Sequence, residues 1–367
     1  VFGTGTNGTE VTVNFAGATK TATIADGKWS VQFPAMEGSW EAKTLTITGA
    51  EMKFVFTDIL VGEVWLGAGQ SNMQMTLSWM NGTGVNFIGE YGKYDNFNKI
   101  RIYRQQITGT PFSGDEANTN NWVTFNNPHE ALSQSAYSIS FALNLQKTLD
   151  IPVGVINSCQ GATYIEEWLS TESLAVAGSV FDGMFEEPKE SRYYYGMTEL
   201  LRGISVAGVI WYQGEGNAFA LNRPGDFPNS PNVDYARQLQ ALHGQYKDVF
   251  GDENLPMIVT ELAPYAWDDY EDFRLTQRRF VTENANTYLL STVDLGTPYD
   301  IHPVFKNELG KRAANIALEF VYQAAGITDT LSYIPVSATK NGNTITLSFE
   351  SGKTIAARGA LIGFKVE

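Results

Sequence analysis

The stretch Val61-Gly-Glu-Val-Trp-Leu-Gly-Ala-Gly-Gln-Ser-Asn-Met73 decides how the rest of the chain is read. A short apolar run, Val61–Leu66, passes through two glycines to a serine and an asparagine. Apolar runs of this length bounded by glycine suit a strand buried on both faces. Ser71 then falls where the strand has just ended. It is either a turn residue or helix N-cap, or a nucleophile set at the start of a helix.

Four more compact apolar runs follow: Val153–Ile156, Val206–Trp211, Met257–Val259 and Tyr288–Val293. Helical patterns lie between and after them, over Ser135–Leu149, Val233–Phe250 and Phe305–Ala324. Short buried strands alternating with helices predict a parallel sheet covered on both sides, an α/β fold. Each run leads into polar residues. The first leads to Ser71 and Asn72, the second to Asn157 and Ser158, and the third to Gln213 and Glu215. The fourth leads to Glu261, and the fifth runs toward Asp294, with His302 farther on. Open parallel sheets bind ligands beyond the carboxyl ends of their strands, so these groups are expected along one edge.

The flanks differ in character. Residues 1–57 alternate apolar and polar at Glu10–Phe15, Trp29–Phe33, Lys43–Thr48 and Met52–Phe56, with a turn at Ala25-Asp-Gly. Period-two patterning with such punctuation predicts an antiparallel β-rich module. Residues 329–367 repeat that style at Thr344–Phe349 and Leu361–Val366, around a turn at Ser351-Gly-Lys. The chain stops within this strand pattern, so the segment is expected either to be cut short or to pair with the N-terminal module. The catalytic domain is expected between the two, over 58–328.

Composition narrows the function. A chain of 367 residues is long enough for two or three domains. Its formal net charge of −15 argues against a nucleic-acid groove or an anionic membrane surface as main partner. The single cysteine, Cys159, excludes an intramolecular disulfide, and the Cys/His spacing of a structural zinc site is missing. No apolar stretch approaches a membrane span. The chain opens on Val1 with no charged start followed by an apolar stretch, so no signal peptide is visible.

A serine nucleophile generally needs an adjacent base, most often histidine. The chain has three histidines. His243 falls in a helical pattern and reads as surface; His129, in Asn127-Pro-His-Glu, reads as local structure. His302 is the stronger base candidate, because it lies in a loop two residues after Asp300 and just ahead of a helix. Gln213-Gly-Glu-Gly-Asn217 reads either as a turn opening a helix or as a working block. In the second case Gln213 donates to an oxyanion and Glu215 orients the histidine. Gly161 offers a backbone N–H to the same oxyanion. The Gly-x-Ser-x-Gly elbow of α/β-hydrolases is not met, since Met73 stands at the second glycine's place.

Four blocks together resemble the sialate O-acetylesterase family of the SGNH-hydrolase superfamily and its acetylxylan-esterase relatives in carbohydrate esterase family 6. They are Val61 through Met73, Gly154-Val-Ile-Asn-Ser-Cys-Gln-Gly-Ala-Thr-Tyr-Ile-Glu-Glu-Trp168, Gly208-Val-Ile-Trp-Tyr-Gln-Gly-Glu-Gly-Asn217, and Asp294-Leu-Gly through Asp300-Ile-His-Pro303. The resemblance implies a flavodoxin-like three-layer α/β/α catalytic domain and a serine esterase that needs neither metal nor cofactor. Ser71 matches the nucleophile and His302 the base. The Ser71 N–H, Gly161 and Gln213 match the oxyanion hole. The acid departs from the common pattern: Tyr299 stands three residues before the histidine, where many relatives carry aspartate. That leaves Asp300 or Glu215 as third member, with Glu215 slightly favoured. Gln160-Gly161-Ala162 stands where relatives often have paired glycines.

The expected activity is removal of acetyl groups from O-acetylated sugars. Sialic acid is the first candidate and acetylated xylan the alternative. A carbohydrate-binding homologue with an inactive core is the reading from a different class. Sialic acid carries a carboxylate, so a cation at the site would mark it; Arg104, Arg192 and Arg202 are the candidates. The family's role in glycan breakdown implies a secreted or periplasmic enzyme.

Overall fold

The computed structural model describes residues 1–81, 87–92, 94–107, 121–181, 190–221, 226, 233–266, 270–332 and 336–349. The first 61 residues form short antiparallel strands: β1 (Phe2–Thr4), β2 (Glu10–Phe15), β3 (Ala18–Thr23), β4 (Lys28–Ser30), β5 (Ser39–Gly49) and β6 (Met52–Val61). β3-β2-β5-β6 make one sheet, and β1 pairs with β4. Their own core is small. Val11, Val13 and Ile24 are buried, with Trp29, Phe33, Leu45 and Ile47 packed against them.

β6 runs on to Val61, past the boundary expected at 57, and the next strand, β7 (Glu63–Gly69), starts only after Gly62. The break is steric. A Cβ on Gly62 would lie 2.0 Å from the Pro152 carbonyl oxygen, so only glycine lets the chain pass there.

The helical connections after β7 begin with α1 (Ser71–Gln74), α2 (Leu77–Asn81) and α3 (Phe87–Tyr91). Then come β8 (Arg101–Gln105), β9 (Asn121–Val123), α4 (Ala136–Leu149), β10 (Val153–Cys159) and α5 (Thr171–Ala177). β11 (Gly208–Tyr212), α6 (Glu215–Leu221), α7 (Tyr235–Phe250), β12 (Met257–Thr260), α8 (Tyr270–Glu283), β13 (Thr287–Leu290) and α9 (Lys306–Phe320) complete the domain. The sheet order is β13-β12-β11-β7-β10-β8-β9. Every neighbouring pair is parallel except β8–β9. A hairpin, β14 (Ser337–Asn341) and β15 (Thr344–Ser348), follows. The strand expected at Leu361–Val366 and the turn before it lie outside the described residues.

All seven residues of β10 and all five of β11 are buried. Successive strand residues face opposite sides, so helices must cover both faces. Two helix groups do so: α4 packs on α9, and α7 packs on both α5 and α8. This is the layered α/β domain expected from the alternation of runs. β7 has β10 on one side and β11 on the other, and the chain reverses its direction of travel across the sheet there. Such a switch point opens a crevice beyond the strand ends.

Candidate active site

Ser71 stands at that switch point. Gly69 ends β7 with φ of 139°, and Gln70 donates its N–H to the Tyr212 carbonyl at the end of β11, at 3.0 Å. The turn is clamped from a third side by α4: Ser135 Oγ donates to the Met73 carbonyl at 2.7 Å, and the Ala136 N–H to Met75 O at 2.9 Å. The nucleophile candidate is thus held by backbone contacts with two other elements.

His302 comes from the loop between β13 and α9. Its Nε2 lies 2.9 Å from Ser71 Oγ. The ring is half-buried, with the Trp79 ring 5.3 Å away, centroid to centroid. Burial lowers its pKa below the ordinary histidine value, and the positive charge of Lys306 adds to that, while Asp300 opposes it. A depressed pKa keeps the imidazole neutral, and therefore able to accept a proton, to lower pH.

The two acid candidates are placed differently. Asp300 Oδ1 accepts the backbone N–H of His302 at 2.8 Å, and its charge is the one that favours the imidazolium. Glu215 opens α6 and is buried, and its Oε1 accepts from Asn72 Nδ2. Burial raises its carboxyl well above the usual range. Its contact is with the neighbour of the nucleophile rather than with the imidazole, so the lean toward Glu215 as the group that orients His302 loses its geometric footing. Asp300 reaches the histidine through its backbone N–H and its charge, not through a hydrogen bond to the ring.

The oxyanion candidates also separate. Gly161 lies beside the nucleophile; a Cβ built on it would be 3.5 Å from Ser71 Cβ. Its N–H donates to Gln74 Oε1 at 2.9 Å, so an acyl oxygen would take the place of that amide oxygen. Gln213 does not reach the crevice. It is fully buried, with Nε2 donating to Thr163 O at 3.0 Å and Asn217 Oδ1 at 2.9 Å, while Oε1 accepts from Tyr235 at 2.8 Å. With both ends of the amide bonded elsewhere, it braces the turn after β11. The expectation of a Gln213 donor is corrected accordingly.

One further correction concerns a buried histidine. His243 is buried rather than on the surface, and its Nε2 sits 2.8 Å from the Leu255 carbonyl. Cys159 lines the crevice, yet burial pushes its thiol up to about 12, which leaves it a poor rival to Ser71. His129 keeps the local role expected: its N–H donates to Asn127 Oδ1 at 3.0 Å.

Ser71 and His302 form part of the wall of a cavity of ≈ 630 Å³. Trp79, Tyr164 and Phe219 give it aromatic faces, and Arg104, from the end of β8, gives it a cation. The other two candidate arginines do not line it. Arg202 pairs with Glu199 and Asp248, and Arg192 lies over the Tyr193 ring. Among the described residues, no cluster of His, Cys, Asp and Glu suits a metal ion, and no helix is long and apolar enough to cross a membrane.

A serine–imidazole pair at the carboxyl edge of a parallel sheet, facing an aromatic-walled cavity, defines a hydrolase-type α/β protein. The particular family follows from comparison. The family model described as carbohydrate esterase, sialic acid-specific acetylesterase, matches residues 61–319, and the chain belongs to that family. The human sialate O-acetylesterase is 32% identical over 176 residues, covering 44% of this chain and 32% of the human protein. The mouse sialate O-acetylesterase is 26% identical over 268 residues, covering 59% of this chain and 48% of its own length. The chain therefore spans about a third to a half of these curated relatives. A crystal structure of a carbohydrate acetylesterase from Xanthomonas citri superposes with a TM-score of 0.76 at 26% identity, covering 95% of this chain and 77% of that one.

Proposed function

We propose that the protein is a serine carbohydrate O-acetylesterase acting on O-acetylated sialic acid. The observation that carries this reading is the 2.9 Å approach of Ser71 Oγ to His302 Nε2 within the cavity. In the first step His302 takes the Ser71 proton as Oγ attacks the acetyl carbonyl carbon. The oxyanion accepts from the Ser71 and Gly161 N–H groups once Gln74 Oε1 has given way. His302 returns the proton to the departing sugar oxygen, leaving an acetyl ester on Ser71. Water, giving its proton to the same histidine, attacks the acetyl ester, and His302 returns that proton to Ser71 Oγ as the Oγ–acyl bond breaks and acetate leaves. Asp300, on the carboxylate side of this pair, stabilises the transient imidazolium.

A phosphonate ester probe tests the mechanism directly. It is expected to label one serine, Ser71, with stoichiometric loss of hydrolysis of a chromogenic acetate. Full labelling with hydrolysis intact, or label on another residue, refutes it. A carbohydrate-binding homologue with an inactive core would leave both the probe and the acetate untouched.

Arg104 in the cavity wall supports a substrate bearing a carboxylate over neutral xylan. Arg104→Met is expected to lower the ratio of kcat/KM on O-acetylated sialic acid to that on acetylated xylose about 10- to 100-fold, the range of a lost charge-assisted hydrogen bond. An unchanged ratio would favour the acetylxylan reading. On the same reading the enzyme works where such glycans are degraded, secreted or periplasmic. The β-rich module is read as structural support for the groove.

A further inference from the structure

Lys306 opens α9, four residues beyond His302, yet its side chain is wholly buried. An ammonium group withdrawn from water needs strong partners to be tolerated. It has two: Nζ donates to Asn72 Oδ1 at 2.6 Å, and it lies 5.1 Å from the centroid of the Tyr212 ring. Asn72 passes the contact onward. Its Nδ2 donates to Glu215 Oε1 and, at 3.0 Å, to the Ile301 carbonyl. Asn72 follows the nucleophile candidate and Ile301 precedes the histidine. One side-chain amide, held by a lysine, therefore ties together the two backbone segments whose separation fixes the Ser71–His302 contact. Both orientations of the Asn72 amide are not equal here: the ammonium can only donate, so the oxygen must face Lys306 and the NH₂ must face Ile301 and Glu215.

We propose that Lys306 is a positioning residue of this hydrolase, locking the Asn72 amide so that the serine turn and the histidine loop keep their spacing. The inference rests on the esterase reading of Ser71 and His302. It adds a residue that takes no part in bond making. The placement also carries an electrostatic consequence. The groups around the imidazole are Ser71 from α1, Asp300 on its own loop and Lys306 from α9. Glu215 from α6 and the Tyr212 phenol from β11 face the lysine end of the network, and Tyr270 from α8 lines the same cavity. Of these, the Lys306 charge opposes the imidazolium and Asp300 favours it. Burial lowers the lysine's own pKa while Glu215 and Asp300 hold it up.

The test is Lys306→Met, read by the rate of Ser71 phosphonylation as a function of pH. The rate is expected to fall about 10- to 100-fold, the usual consequence of a loosened reacting pair, with the apparent affinity for the probe changed less than about twofold. The acidic limb should also move to higher pH, because an imidazole relieved of the neighbouring cation protonates more readily. A purely structural lysine would lower the amount of folded protein without moving the limb. The single variant leaves Glu215 buried beside one partner, so Lys306→Met/Glu215→Gln, which is neutral at both positions, is measured beside it. The double variant is expected to fold, as judged by its melting transition, and to keep both the slower rate and the displaced limb. Parental rate and limb in the folded double variant overturn the proposal. A double variant that does not fold also counts against it, since the lysine would then serve the fold and not the site. If the parent itself is not phosphonylated at Ser71, the esterase reading is what has failed.

Discussion

Ser71→Ala is expected to reduce hydrolysis of an acetyl ester by about 10⁴- to 10⁶-fold, the range seen when one member of a nucleophile–base pair is removed. The melting temperature should barely change. Ser71 Oγ is hydrogen-bonded to His302, and a hydrogen bond of that kind contributes about 1 kcal/mol to stability. The backbone that shapes the turn makes its contacts through Gln70, Met73 and Met75, none of which loses an atom. The drop should appear in kcat, with substrate affinity retained, because the cavity walls are intact. Adding His302→Ala to the variant should cost little more, since the two groups act as a unit. The assay is acetate release from 4-nitrophenyl acetate and from an O-acetylated sialic acid, paired with a thermal melt. A folded Ser71→Ala protein that retains the parental rate would remove the nucleophile from the account.

How far the sequence carried this site depends on the physics of each residue. The five apolar runs were legible because strands buried on both faces must be apolar at consecutive positions. The polar residue behind each run was legible because a parallel sheet gathers its strand ends on one edge. β8 does not show in the sequence, since Arg101 and Arg104 interrupt its apolar character; Arg101 finds Asp58 at 2.9 Å, and Arg104 reaches the cavity. β9, at three residues, is too short to show a period. His243 reads as surface because the apolar stripe Val233, Ala236, Leu239 and Leu242, spaced in threes, drifts around the helix. Leu239 and Tyr246 stand four residues before and three residues after His243, the spacings that share a face, and both are buried with it. Spacing alone leaves the direction of the Gln213 amide open. Only the packing of Tyr235 and Thr163 around Gln213 draws its amide away from the cavity. Lys306 reads as a solvated lysine at a helix start until the fold brings Asn72 and Tyr212 over it.

Gly69→Ala is expected to destabilise the protein by at least about 3 kcal/mol, a loss in the range of strain at a special backbone position combined with disrupted packing. Two effects combine there. The φ of 139° is one that a residue with a Cβ rarely adopts, and the added methyl would lie 2.1 Å from the Tyr212 carbonyl oxygen. The obstacle is backbone, so no rotamer change relieves it. β7 and β11 must instead separate at their carboxyl ends, where Gly69 pairs with Tyr212 and Gln70 donates to the same carbonyl. Ser71 is two residues away, and a displacement near 1 Å there would slow the reaction about 100-fold in whatever protein still folds. Gly244→Ala is the matched control. This glycine lies on the exposed side of α7, and a Cβ on it would meet nothing within 4 Å. Alanine there should stabilise by about 0.5–1 kcal/mol, the ordinary helix preference. Urea unfolding of the two variants beside the parent, with kcat measured in the folded range, gives both quantities. If Gly69→Ala unfolds at the parental midpoint, then β7 and β11 do not meet as described, and the turn that presents Ser71 has a different shape.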